Sequence, residues 1–135
     1  MSQSASQAAA FYRDVARTGR LWTLEDDGGY PSPKNQSGHR AMPFWSSESR
    51  VQRIIKNVVA YSGFRILELS WDDFVNVWVR DLTADGLLVG VNWSGQHATG
   101  YDCTPQEVLA NVGHYLGSAR VLDFPQNPTP QDRGT

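Results

Sequence analysis

Cysteine is nearly absent from this chain of 135 residues, because Cys103 stands alone. A single cysteine can form neither an internal disulfide nor a cysteine-based zinc site, and the three histidines show no ligand-like spacing. We therefore predict no metal and no cofactor. The first residues carry no secretory signal, so we expect a cytoplasmic protein in a reducing environment.

Strong net charge and long apolar runs are missing too. The formal net charge of −2 at pH 7 gives no electrostatic reason to expect nucleic acid or an anionic membrane as a partner. No stretch approaches the roughly eighteen apolar residues of a membrane span. The sequence also lacks the fingerprints of phosphate loops, dinucleotide binding, zinc proteases and serine hydrolases, and we assign no catalytic residue.

What the sequence does contain is typical of one globular domain, with 40% hydrophobic and 19% charged residues. Apolar periodicity and turn residues predict the element order αβ(β)βαβαββα. This order favours a single α+β domain over residues 1–124, with a mixed or antiparallel sheet and helices packed mainly on one face. The composition of residues 125–135 predicts a disordered C-terminal tail.

The segment AMPFWSSESR predicts a strand that passes directly into a helix. The strand covers 41–45, and Pro43 restricts it to a sheet edge or a strand end because proline cannot donate to a neighbour. A helix follows over about 47–58, with Ser46 or Ser47 as its N-cap. The abrupt change from aromatic to hydroxyl side chains therefore has a structural explanation.

Four glycines carry structural predictions. Gly19 is expected to end a helix over 6–18, and Gly117 to end the last helix. Gly90 and Gly100 fall in the two strands of a predicted hairpin, where glycine indicates a bulge, a close backbone approach or a flat surface under an aromatic ring. The sequence leaves packing and ligand approach equally open at these two positions.

The recurrence of Trp-Ser at two predicted strand ends is the main binding signal. If the strands lie side by side, both indoles would border one depression with hydroxyl and amide groups. Two arginines on the following helix could meet a phosphate, a carboxylate or an acidic partner. The alternative is that the tryptophans fill the core and the arginines face solvent. The predicted recognition surface consists of Trp45, Ser46, Ser47, Arg50, Arg53, Asn92 and Trp93.

An enzyme that acts on a small polar substrate is the competing interpretation. It would use Cys103, or an aspartate, with His97 or His39. A reactive thiolate needs a nearby base or a positive field, and separation along the chain does not establish that geometry. Otherwise Cys103 is a small buried residue at a strand end.

Several segments resemble a known family: WTLED, RAMPFWSSESR, LLVGVNWSG and ATGYD. They are similar to the bacterial family named domain of unknown function 2750, from about residue 11 to residue 116. The family has no established activity, so the resemblance implies no catalytic residue. PFWSSESR and GLLVGVNWSG also share a layout with SseB-type (enhanced-serine-sensitivity) domains, which implies a small intracellular interaction domain, in some cases linked to secretion or toxin immunity.

From these observations we expect a small binding or interaction domain without catalysis, such as an immunity-type or regulatory partner protein. Its partner would be a protein or a small polar ligand, with no nucleic acid and no membrane. A homodimer that pairs the strand edge near Pro43 with itself is a further alternative.

Overall fold

The computed structural model describes residues 2–123, and the side chains of residues 2–117. The elements in chain order are α1 (Gln3–Thr18), β1 (Arg20–Glu25), β2 (Ala41–Phe44), α2 (Glu48–Asn57), a 3-10 turn (Val59–Tyr61), β3 (Arg65–Ser70), α3 (Trp71–Asp73), a π-helical turn (Phe74–Trp78), α4 (Val79–Ala84), β4 (Leu88–Ser94), β5 (Thr99–Cys103) and α5 (Pro105–Asp123). This order confirms the α+β prediction. The predicted tail, 125–135, lies outside the described residues.

The strands form two small sheets that meet at a pair of tryptophans. β1 pairs with β3 in antiparallel orientation, and the second sheet has the order β2-β4-β5. In this second sheet β2 is parallel to β4, and β5 is antiparallel to β4. Backbone hydrogen bonds of 2.8 and 2.9 Å between Trp22 and Trp45 join the sheets. The mixed sheet is as predicted, and Pro43 lies in an outer strand.

The hydrophobic core has two parts, one on each face of the β2-β4-β5 sheet. Successive residues of a strand point to opposite faces. Phe44 accordingly packs with α1, α5 and the helical segment 71–84, whereas Trp45 packs with α2. Helices thus cover mainly one face, as predicted, and α2 covers the other.

Capping explains where the helices begin and end. Ser47 is the N-cap of α2, since its Oγ accepts a hydrogen bond from the Arg50 amide at 3.3 Å. α1 ends at Gly19, whose φ of 71° suits a residue without Cβ. The prediction that Gly117 ends the last helix is wrong, because α5 continues to Asp123. A glycine inside a helix costs only about 1 kcal/mol, which neighbouring helical residues outweigh.

Membrane spans and metal sites are both absent from the described part of the chain. No helix there has both the length and the hydropathy needed to cross a membrane. No group of three or more histidine, cysteine or acidic side chains comes together there as a metal site requires.

Candidate functional site

The two Trp-Ser segments lie side by side because β2 and β4 are parallel neighbours. Phe44 pairs with Val91, so the residues that follow each strand meet at the same edge of the sheet. The Trp45 indole Nε1 donates a hydrogen bond of 2.9 Å to the Trp93 carbonyl. Both indoles are nevertheless buried, with relative exposures of 0% for Trp45 and 6% for Trp93.

Ser46 and Asn92 form a buried polar network between the strand ends and α1. The Ser46 amide donates to Asn92 Oδ1 at 2.9 Å, and Asn92 Nδ2 donates to Ser46 Oγ at 3.0 Å. Asn92 Nδ2 also donates to the Gln7 carbonyl at 3.1 Å, and Ser46 Oγ donates to Asp14 Oδ2 at 3.0 Å. These polar groups are satisfied inside the protein, so they hold α1 against the sheet.

A β-bulge determines which way Trp93 points. Residues two apart in a regular strand share a face, yet Val91 packs with the α1 and α5 side of the core and Trp93 packs with the α2 side. The register of β4 and β5 shifts between Val91 and Ser94, and Asn92 adopts a left-handed φ of 53°. Asparagine tolerates this conformation better than most residues. The bulge therefore turns the indole toward α2.

Two glycines make room for the Trp93 indole. A Cβ on Gly90 would lie 2.5 Å from Trp93 Nε1 and closer still to ring atoms Cε2 and Cζ2. A Cβ on Gly100 would lie 3.0 Å from Trp93 Cδ1. The indole Nε1 donates to Asp102 Oδ1 at 2.9 Å and to the Tyr101 carbonyl at 3.2 Å. The structure shows two of the possibilities that the sequence left open, a bulge in β4 and a flat surface under an aromatic ring.

An open cleft of about 510 Å³ lies beside Trp93, between α1, α2 and the turn that joins β4 to β5. We name it the arginine cleft. Its lining residues are Gln7, Arg50, Arg53, Ile54, Asn57, Trp93, Ser94, Gly95 and Gln96.

Three of the seven predicted site residues line the arginine cleft, namely Arg50, Arg53 and Trp93. The other four do not: Trp45, Ser46 and Asn92 are buried, and Ser47 caps α2. Sequence reasoning missed Gln7 and Gln96. Gln96 sits in the predicted hairpin turn and could have been included on that basis, whereas Gln7 reaches the cleft only because α1 docks there.

The arginines of this cleft differ from most others whose side chains the structure describes. Five arginines have a carboxylate oxygen within 4.0 Å, namely Arg13, Arg17, Arg20, Arg65 and Arg80. Among side chains that the structure describes, Arg40, Arg50 and Arg53 have no such partner, and Arg40 Nη1 donates instead to the Ser32 carbonyl oxygen. Arg50 Nη1 donates instead to the neutral Gln7 Oε1. The cleft lining thus carries two cations and no acidic side chain.

A second cleft, of about 590 Å³, also has Trp93 in its lining. We name it the loop cleft, because the segment 33–37 forms one wall. Asn35 Nδ2 donates to Asp102 Oδ2 at 2.9 Å, which ties this segment to β5. Its lining residues are Ser4, Pro33, Lys34, Asn35, Gln36, Ser37, Val58, Ala60, Tyr61, Trp93, His97, Ala98, Thr99, Gly100 and Asp102.

Cys103 lies outside both clefts. Its Sγ is 3.4 Å from Tyr12 Oη and 3.9 Å from the Val89 carbonyl oxygen, and neither group is a base. Burial raises the pKa of the Cys103 thiol. The hydrogen bond with Tyr12 lowers this pKa, but its effect is smaller than that of burial. Burial also raises the pKa of the Tyr12 hydroxyl. This environment disfavours a thiolate.

The comparison with known families supplies an assignment. A family described as a protein of unknown function, DUF2750, matches residues 8–112. The chain belongs to this family. None of the curated proteins matches it. The DUF2750 match begins in α1 and ends in α5, and it contains every residue that lines the arginine cleft except Gln7. The family description carries no activity, so function must be argued from the site.

Proposed function

We propose that this protein is a cytosolic binding domain without catalysis of its own, and that it recognises a carboxylate in the arginine cleft. The observation that supports the proposal is the pair Arg50 and Arg53, which line one cleft without a carboxylate partner among the described side chains. Arginine presents a planar fork of donors that matches a carboxylate with two parallel hydrogen bonds. A ligand carboxylate would give these two the partner that five other arginines have within the chain.

Orientation of Arg50 supports this interpretation. Its guanidinium is half-buried and is held by the Gln7 side-chain carbonyl, so one of the two cations is already positioned before a ligand arrives. Ordering a free arginine on binding costs about 0.5–1.5 kcal/mol, and a positioned one avoids part of that cost. Arg53 is exposed and would close on the ligand from the rim.

A carboxylate fits the cleft better than a phosphate does. Phosphate sites commonly use the free amides at a helix N-terminus, where the helix dipole is positive. The N-terminus of α2 is already capped by Ser47, whereas the cleft extends along α2 to its last residue, Asn57. The negative end of the helix dipole lies there and disfavours a doubly charged anion more than a singly charged group.

The size of the cleft suits a small ligand or a side chain of a partner protein. A volume of about 510 Å³ falls within the range of roughly 300–1,000 Å³ that small-molecule sites occupy. An immunity-type or regulatory protein would use the same cleft for an acidic side chain of its partner. A homodimer through β2 has less support, because the Ala41 amide and the Pro43 carbonyl already have partners in Pro33 and Thr23.

An NMR titration with glutarate tests the proposal. Arginine Nε–H resonances and backbone amides would be followed, with neutral glutaramide and inorganic phosphate as comparison ligands. We expect glutarate to shift the resonances of Arg50 and Arg53, with weaker shifts from phosphate and none from glutaramide. Arg50→Gln and Arg53→Gln should each weaken binding at least about tenfold, since a charge-assisted hydrogen bond contributes about 1.5–3 kcal/mol.

The matched control is Arg80→Gln, which removes the same charge from an exposed arginine outside the cleft. Its affinity for glutarate should equal that of the parent protein. If glutarate shifts no resonance of the cleft, or if all three variants bind it equally, the proposed site is refuted.

A further inference from the structure

The arginine cleft and the loop cleft adjoin each other along three elements. Gln96 lines one cleft and the next residue, His97, lines the other. In the same way, Asn57 lines the arginine cleft and the next residue, Val58, lines the loop cleft. Trp93 lines both clefts. The two linings therefore meet at Trp93 and come from neighbouring residues in the hairpin turn and at the end of α2.

The two clefts differ in chemistry. The arginine cleft is lined by two positively charged side chains and by no negatively charged side chain. In the loop cleft the cation Lys34 is balanced by Asp102. The floor of the loop cleft is apolar, because Val58, Tyr61 and Ala98 are buried there. One end of the combined space thus attracts an anion, and the other offers apolar surface.

The walls of the loop cleft carry groups that suit a peptide backbone. Gln36 provides a side-chain amide, and Ser37 and Thr99 provide hydroxyls, whereas the Asn35 amide is already bonded to Asp102 and to the backbone of its own loop. Amides and hydroxyls act as both donors and acceptors, which matches the N–H and C=O groups of an extended chain. A compact anion would leave these groups and the apolar floor unused.

We propose that the two clefts form one groove that binds an extended acidic segment of a partner protein. An aspartate or glutamate of that segment lies between Arg50 and Arg53, and an apolar side chain a few residues away lies on Val58 and Tyr61. The inference rests on the proposed function, because the arginine cleft supplies the anchor for the acidic residue. It adds the class of ligand and its direction along the groove.

A series of synthetic peptides tests the groove. Each peptide is acetylated and amidated and contains one aspartate and one leucine, separated by zero to four glycines, with acetyl-aspartate amide as the reference. Affinities would be measured by NMR titration. We expect one spacing to bind about ten to a hundred times more tightly than the reference, since burial of a leucine side chain contributes a factor of that order.

Two neighbouring substitutions separate the groove from a general surface effect. Ala60→Trp fills the loop cleft, whereas Val59→Trp places the same indole on the adjacent residue, which is 88% exposed and does not line the cleft. Ala60→Trp should abolish the gain from leucine but leave the binding of acetyl-aspartate amide unchanged. Val59→Trp should alter neither. Far-UV circular dichroism would confirm that both variants are folded.

The outcomes distinguish the inference from the proposed function beneath it. If every peptide binds like acetyl-aspartate amide and Ala60→Trp has no effect, the groove is refuted and the carboxylate site stands. If the leucine peptides bind equally well to Arg53→Gln, the assigned direction is wrong and the groove fails. If neither glutarate nor any peptide shifts the cleft arginines, both proposals fail.

Discussion

Gly90→Ala is the sharpest test of how Trp93 is held. The new methyl carbon would lie 2.5 Å from the indole nitrogen and closer to two ring carbons, whereas carbon atoms in contact prefer about 3.5–4.0 Å. The indole must therefore withdraw by more than about 1 Å. Its hydrogen bonds to Asp102 Oδ1 and to the Tyr101 carbonyl, at 2.9 and 3.2 Å, would be stretched by the same movement.

Three contributions set the magnitude of the effect. Overpacking costs about 1–3 kcal/mol, and loss of the hydrogen bonds of a buried donor costs about 1–3 kcal/mol. Alanine in place of a strand glycine stabilises the folded protein by about 0.5–1 kcal/mol, because alanine restricts the conformations of the unfolded chain. The free energy of unfolding of Gly90→Ala should therefore fall by about 1–5.5 kcal/mol.

Urea unfolding monitored by far-UV circular dichroism measures this change. Gly113→Ala is the matched control, since Gly113 lies in α5, a methyl group there would meet no atom within 4 Å, and the variant should gain about 0.5–1 kcal/mol. In a Trp93→Leu background, Gly90→Ala should lose most of its penalty. A Gly90→Ala protein within about 0.5 kcal/mol of the parent would refute the contact between the glycine and the indole.

Three further predictions concern stability, each measured by urea unfolding. Asn92→Ala removes three buried hydrogen bonds and leaves a left-handed residue, so we expect a loss of about 2–4 kcal/mol; a loss below about 0.5 kcal/mol would contradict the network. Ser47→Ala removes the N-cap of α2 and should lower the free energy of unfolding by about 1 kcal/mol, whereas Ser47→Asp should retain most of the stability that the cap provides. Burial raises the pKa of the Cys103 thiol, so the unfolded chain loses this proton first and stability should fall as pH rises above about 8.5. In Cys103→Ala the free energy of unfolding should decrease less steeply with pH in this range. An unchanged dependence on pH would disprove the role of the Cys103 thiol.

The features that the sequence predicted correctly depend on neighbours along the chain. The cap at Ser47 and the left-handed end at Gly19 follow from hydrogen bonds and backbone angles within one turn. The hairpin of β4 and β5 follows from strand-forming residues on both sides of a short turn. Local rules determine such features, because the atoms involved are close in sequence.

The features that the sequence did not predict depend on docking between distant segments. Nothing local specifies that β2 lies parallel to β4, or that the strands divide into two sheets. The hydrogen bond from Asn92 to Gln7 joins residues that are 85 positions apart. The burial of Trp45 follows from the same packing, because α2 covers the face on which the indole lies.

The strand ends and the arginine cleft are connected through Gln7. Asn92 holds the Gln7 main chain, and the Gln7 side chain in turn accepts a hydrogen bond from Arg50. The buried Asn92 therefore affects the cleft indirectly. It fixes the position of α1, and Gln7 of α1 orients the Arg50 guanidinium. Polar strand ends that the sequence suggested as ligand contacts thus have a different physical role. They set the position of the charged groups that remain open to a ligand, and Trp93 lines both clefts beside those groups.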